Sequence, residues 1–455
     1  MGKTLLDKQV SEVLTPEMIS SYQAEFQTDP RNKLLMNFLS NAQPSQAMMQ
    51  DRMRKSAANH IYSHMIKTLA ATNQKGSGRC WMYAGQNVMR QKAAVKFNLE
   101  NFEFSQNYTM FWDKMEKSNF FLETILKTLD EPNDSRLLKG IMGGPVEDGG
   151  QWHMLVNVLN KYGVVPADAM PETDSSSNTG TLSNYLTSHL RNCAINLRDM
   201  YRKGAKIDEL HGLKDEMLAN AYKILVFHLT EPPKTFSWQY RDKDDKFVRI
   251  KDMTPQEFTT EHMTYDFNSK VCLIHCPMNE MEFNKVYTIE HLGNVVGGDM
   301  IRYVNVSMDI FRKATLDQIL DDEPVWFGCD CGPEMDREFG YWDVDMYSPE
   351  LFYGEKWKYN KAQRLEYGMS SMNHAMVFTG VDLDDDGKPL KWRVENSWGT
   401  DKGNAGFFCM TDRWFEEYNY EVAVDKKYLP QEVLDILDME PIVLPRWHPM
   451  GTLAL

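Results

Sequence analysis

The stretch NQKGSGRCWMYAGQNVMRQKAAV, residues 73–95, decides how this chain folds. It opens with the Gly and Ser of an irregular loop and continues with small or apolar side chains at Trp81, Ala84, Gly85, Val88 and Val95. That spacing follows one face of an α-helix beginning at Cys80. A cysteine at a helix mouth is a chemical signal. Only the thiolate attacks a carbonyl carbon, and a helix N-terminus together with a neighbouring imidazolium favours that form. Gln74, upstream on the same loop, can fold its side-chain amide back over the thiol and share a developing oxyanion with the Cys80 backbone N–H. One loop thus supplies a nucleophile and an oxyanion hole, with Trp81 as a supporting neighbour.

The imidazole has to come from elsewhere. Of eleven histidines, His374 opens an apolar strand, HAMVFTG, and the segment ENSWGT with Asn396 follows it. Two adjacent strands bring the pair together. An Asn396 amide oxygen accepting from one ring nitrogen aims the other at sulfur, and Trp398 can cover that hydrogen bond from water. After Lys270 the texture is one of short strands, namely VCLIHCP, IRYVNVSM, PVWFGCDCG, AMVFTGVDL, PLKWRVENSW and AGFFCM, interrupted by a helix at MDIFRKATLDQIL. These predict a mostly antiparallel β lobe.

The order Cys, His, Asn within Q-x5-C-W, N-H-A, N-S-W-G-T and G-x-x-G-F resembles the papain superfamily. SGRCW puts Ser77 where secreted relatives carry a disulfide cysteine, which agrees with a reducing compartment. His374 lies about 290 positions after Cys80, against about 130–150 in papain and cathepsins, so roughly 150 residues are inserted. That length, with EDGGQWHMLVNVLNKYGVVP, MNHAMVFTGVD and the terminal WHPMGTLAL, resembles the bleomycin hydrolase and aminopeptidase C family over nearly the whole chain. The resemblance implies an α+β, papain-like, two-lobe cysteine peptidase, a helical lobe plus an antiparallel β lobe, with large helical insertions. It implies peptide substrates, no cofactor, and a homohexamer whose active sites face an internal channel. It also implies that Gly149 and Gly150 offer backbone hydrogen bonds to an extended substrate; a helix-capping turn is the alternative. The C-terminal arm Met450–Leu455 is expected in the cleft, where the Leu455 carboxylate pairs with the substrate α-ammonium and forbids longer N-terminal extensions. His448 departs from the acidic residue of WDPMG-type tails. An endopeptidase with an undocked arm and a nucleic-acid-binding barrel are the competing functions.

The remaining sequence sets bounds. The 455 residues carry 50 Lys+Arg against 65 Asp+Glu, a net charge of −15 that opposes phosphate backbones. Seven thinly spread cysteines do not form a secreted disulfide framework. MGKTLLDKQVSEVL lacks a signal-type apolar run and no stretch is long enough to span a membrane, so a cytoplasmic location is expected. Residues 1–65 read as a helical extension, starting at Thr15-Pro16-Glu17. Residues 66–200 read as the helical catalytic lobe, with a surface loop at PETDSSSNTG. Residues 201–265 read as an inserted helix and hairpin, 266–440 as the β lobe and 441–455 as the arm.

Three other signals are weaker. His60 and His64 have helical spacing, but Ile61 stands where a zinc peptidase needs Glu, so they read as solvated helix histidines. Asp382, Asp384, Asp386 and Gly387 imitate a calcium loop, yet Arg393 replaces its closing Glu, and a hairpin turn is expected. Cys272, His275, Cys276, Cys329 and Cys331 fit no zinc spacing, the Cys-x-Cys pair reading as part of an alternating strand. No metal is expected.

Overall fold

In the computed structural model the described residues are 13–43, 48–49, 59–263, 265–355 and 357–454. The N-terminal residues 1–12, read above as lacking a signal-type apolar run, and Leu455 lie outside them. The chain forms two compact units, residues 1–56 with 345–358, and residues 57–344 with 359–455. In the first, Thr15 caps the helix Pro16–Thr28 and Asp29 caps Pro30–Leu39, each with Pro at the helix start where a missing N–H costs nothing.

The second unit is built on a mixed sheet of twelve strands among the described residues. Its centre runs Lys270–Ile274, Asn419–Asp425, Val325–Cys329, His374–Leu383, Pro389–Glu395 and Phe407–Thr411, every neighbour antiparallel. Parallel pairs occur toward the edges. Strand alternation divides two cores. Trp326, Ala375, Val377 and Ala423 join the apolar cluster that includes the helices, while Phe327, Met376, Phe378 and Val422 join the cluster on the opposite side. Strands buried on both faces read as continuous apolar runs, which is why Val325–Cys329 is buried at every position instead of alternating. Cys331 lies beyond that strand.

The helical side contains Cys80–Lys96, Gln106–Lys127, Trp152–Tyr162, Gly180–Arg202 and Ile207–Leu229. The Cys80 helix is buried all round through Arg90, whereas Val95, expected on its apolar face, is 70% exposed. Gln86 and Asn87 survive burial by bonding Thr109 and Thr72. Arg90 reaches across to Glu395 at 2.6 Å and to the Ala70 carbonyl at 2.5 Å, joining the helix to the strand before Asn396.

Two further expectations need correcting. PETDSSSNTG is not simply a surface loop: Thr173 and Ser176 form a capping box on a short helix, Asp174–Ser177, and Ser176 is fully buried. Residues that favour turns also favour helix starts, and here they do the second. His60 lies outside any helix, and His64 is on a strand paired with Val381. RDKDDKFVRI does form a hairpin, Phe236–Arg241 with Phe247–Met253, and Asp384–Lys388 closes the hairpin turn expected there.

Candidate active site

Cys80 is the first residue of its helix and 4% exposed. Burial pushes its thiol up to about 11, opposed by the backbone N–H groups of Ala375, Trp81 and Cys80 aimed at the sulfur. The Ala375 amide settles the question of long-range assembly. It belongs to the residue after His374, so the thiol lies against the start of the His374 strand.

His374 Nε2–H donates to Asn396 Oδ1 at 2.9 Å, which leaves Nδ1 as the nitrogen available to a thiol. Trp398 stacks on the imidazole with centroids 4.9 Å apart, and Arg337 covers its indole at 4.2 Å. Burial draws the His374 pKa down to about 4, partly offset by the Asn396 bond. Burial thus works against the charged form of both groups.

Gln74 is 7% exposed and its amide has one orientation. Ser397 Oγ donates to Gln74 Oε1 at 2.6 Å, while Gln74 Nε2 donates to the Ser77 carbonyl at 2.5 Å and keeps a second hydrogen. The Gln74 N–H also bonds the Ser397 carbonyl, and Asn73 bridges Trp398. The loop before the cysteine is thus stitched to the loop after the asparagine.

That loop is tied down elsewhere. Arg79, fully buried, grips Glu172 with both terminal nitrogens at 2.9 and 2.8 Å and bonds Ser77 Oγ through Nε. Gly78 N–H donates to Asp148 Oδ2, and Lys114, Thr179 and Ser183 also hold that carboxylate. Burial alone raises the Asp148 pKa, but the Lys114 charge holds it well below the usual carboxylate range. The Asp148 carbonyl receives Trp81 Nε1–H at 2.7 Å.

Gly149 and Gly150 precede the helix Trp152–Tyr162, whose N-cap is Gln151. A Cβ on Gly150 would stand 2.5 Å from the Trp81 ring, and one on Gly149 would stand 2.1 Å from the Leu453 carbonyl oxygen. The arm packs against this turn: Pro449–Ala454 forms a 3-10 helix with Met450, Gly451, Leu453 and Ala454 buried. Thr452 Oγ1 donates to the Met372 carbonyl, two residues before His374, at 2.9 Å. His448, the departure noted in the tail, accepts the Met450 N–H.

Residues 13–451 match the Peptidase C1-like family. The chain belongs to that family. This C1-like chain is 42% identical over 450 residues to bleomycin hydrolase of Rattus norvegicus, covering 97% of this chain and 99% of the relative. It is 42% identical over 446 residues to aminopeptidase C of Listeria innocua serovar 6a, covering 98% and 100%. Among solved structures, pepw from Lactobacillus rhamnosis HN001 superposes with a TM-score of 0.94 at 40% identity, covering 97% and 99%. The fold is papain-like α+β and the C1-like chain is a cysteine-type peptidase. Sequence reasoning missed Ser397, Asp148 and Arg90. The first two sit inside quoted motifs, ENSWGT and EDGG, but a positioning role shows only once their partners are known.

Proposed function

We propose that this protein is a cysteine aminopeptidase with Cys80 as nucleophile, His374 as proton carrier, Asn396 as its orienting partner and Gln74 as oxyanion donor. The Cys80 sulfur attacks the first peptide carbonyl as its proton passes to His374 Nδ1. The oxyanion is met by the Gln74 amide and the Cys80 N–H. Collapse breaks the C–N bond, the imidazolium protonates the leaving amine, and a thioester remains. Water, losing a proton to His374, then releases the first amino acid and restores the thiol.

The observation that carries the aminopeptidase reading is the arm against Gly149, because a cleft filled on that side has room for a single substrate residue before the cut. In this reading the carboxylate of Leu455 pairs with the substrate α-ammonium. The names of the relatives, bleomycin hydrolase and aminopeptidase C, agree. The full chain should hydrolyse aminoacyl amides with free N-termini and spare N-acetylated peptides, and Cys80→Ala should abolish turnover. Removing residues 452–455 should add cleavage of N-acetylated peptides. A full chain that cleaves blocked and free peptides alike is an endopeptidase instead.

The proposal extends to a homohexamer in a reducing, cytoplasmic setting. Seven free cysteines support the second, and no helix among the described residues is long and apolar enough to cross a membrane. A native mass measurement tests the first.

A further inference from the structure

A cavity of about 480 Å³ lies between the start of the helix Trp152–Tyr162, the strand Lys270–Ile274 and residues 298–304. Neither the catalytic set nor the C-terminal arm lines it. That volume suits a small molecule. Trp152, Val156 and Phe267, all buried, give it apolar walls.

Its charges are of both signs, and most are unmatched within the protein. Arg302 is half-buried, and its Nη2 donates to the carbonyls of Leu437 at 2.7 Å and Met439 at 2.6 Å. Those two bonds fix the guanidinium in place. It forms no ion pair among the described residues, and its Nε and Nη1 are neither bonded nor sealed from solvent. A partly desolvated cation held without a carboxylate is costly unless an anion comes to it. Lys426, Asp299 and Asp438, exposed along the same cavity, are in no ion pair among the described residues either. Lys270, the remaining cation of the lining, is already matched by Asp425 at 3.3 Å. His153, whose Nδ1 lies 3.6 Å from Cys272 Sγ, feels Asp299 and Arg302 at once, so these opposite charges stand near one imidazole. Burial brings that imidazole down to about 4, and at pH 7 it adds a neutral polar group to the lining.

This pattern selects among ligands. Two aspartates oppose a phosphate or any other dianion, and a purely apolar ligand leaves Arg302 without its anion. A zwitterion answers both signs. Because Asp299 and Arg302 act on the same ring, the ligand's two charges have to be close together, as they are on the single α-carbon of an amino acid. We infer that the cavity is a second binding site, for a free amino acid with a large apolar side chain: Arg302 and Lys426 take its carboxylate, Asp299 and Asp438 its ammonium, and Trp152, Val156 and Phe267 its side chain. The fixed guanidinium gives a charge-assisted bond with little left to order on binding. Such an amino acid is the class of product that the proposed reaction releases, but the cavity stands on its own residues and takes the same ligand in an endopeptidase.

The test is equilibrium dialysis of labelled leucine against full-length Cys80→Ala protein, in which no amide is turned over. Leucine should bind saturably, one per chain. Leucine amide, which lacks the carboxylate, and N-acetyl-leucine, which lacks the ammonium, should each bind at least tenfold more weakly. Arg302→Gln in the same background should weaken leucine at least tenfold. Lys426→Glu, at an exposed position that the fold does not depend on, should weaken it too and decides the matter if the Arg302 variant does not fold. No saturable binding at millimolar leucine overturns the inference, as does leucine amide binding as well as leucine. Binding that the folded variants leave unchanged lies elsewhere, in the peptidase cleft or on another surface, and overturns it equally.

Discussion

In the proposed mechanism Gln74 acts through one hydrogen, and Ser397 decides where that hydrogen points. With Oε1 held by the serine hydroxyl, the amide cannot flip without losing a 2.6 Å bond inside a buried site. Gln74→Ala should lower kcat by about 10²–10³ with KM little changed, the cost of removing one oxyanion donor. Ser397→Ala leaves the donor but frees its orientation, so its kcat should fall between that variant and the parent. Steady-state rates on an aminoacyl amide check both, and a serine serving only stability would lower the melting temperature with kcat intact. At this scale Cys80, His374, Asn396 and Gln74 could be nominated as candidates from the sequence because each stands in a short motif. Ser397 could be read as a letter of such a motif but not as a partner of Gln74, since the two are 323 positions apart.

At the scale of elements, the site depends on the Cys80 helix and the strand before Asn396 keeping register. Arg90 and Glu395 enforce this from inside the core, with side chains 2% and 4% exposed. Burial raises the Glu395 pKa, and the Arg90 charge works against that rise. Glu395→Ala leaves a buried guanidinium unpaired and should cost about 3–5 kcal/mol, read from a urea midpoint. The double variant Arg90→Met with Glu395→Leu removes both charges and should recover most of it; if it is no more stable than the single variant, the pair is not what the helix and strand share. The helices and strands themselves were mostly readable. Thr15, the Cys80 start, the helix Met308–Leu320 and six of the β-lobe strands follow from caps and apolar runs, whereas Lys285–Ile289 and the central strand Asn419–Asp425 are absent from that reading. What failed had a physical cause: PETDSSSNTG carries residues that serve turns and helix caps equally, and Val95 shares the helical period without any tertiary partner to bury it. The burial of the Cys80 helix on all sides was hidden because Gln86, Asn87 and Arg90 look solvent-facing until their partners are known.

Across the whole molecule, buried titratable groups set a pH profile of stability with an asymmetric peak. Burial lowers His374, His153 and His448 to about 4 and His275 to about 3. Each is below the unfolded value of about 6.5, so the unfolded chain binds the extra protons as pH falls. The stability these histidines contribute is complete above about 6.5 and is lost as pH drops through their folded values, at up to about 1.4 kcal/mol per pH unit for each. Glu421 has the opposite sign. Its pKa is raised to about 8, so its contribution is complete below the unfolded value of 4.5 and is lost as pH rises through 8. Lys361, drawn down to about 7 by burial, contributes stability that is complete only above its unfolded value of 10.5 and is lost as pH falls through 7. Between pH 7 and 8 it therefore counteracts Glu421. Urea midpoints of the full chain should climb from pH 5 to 6.5, where the lowered histidines outnumber the raised carboxyls, and then level off to pH 8. Glu421→Gln deletes one falling contribution, so its midpoint should rise between pH 7 and 8 relative to the parent's, where Lys361 is no longer counteracted by it. A parent curve flat from pH 5 to 6.5 would mean that the histidines are charged where they stand. A Glu421→Gln curve parallel to the parent's would mean that Glu421 is already ionised in the folded chain.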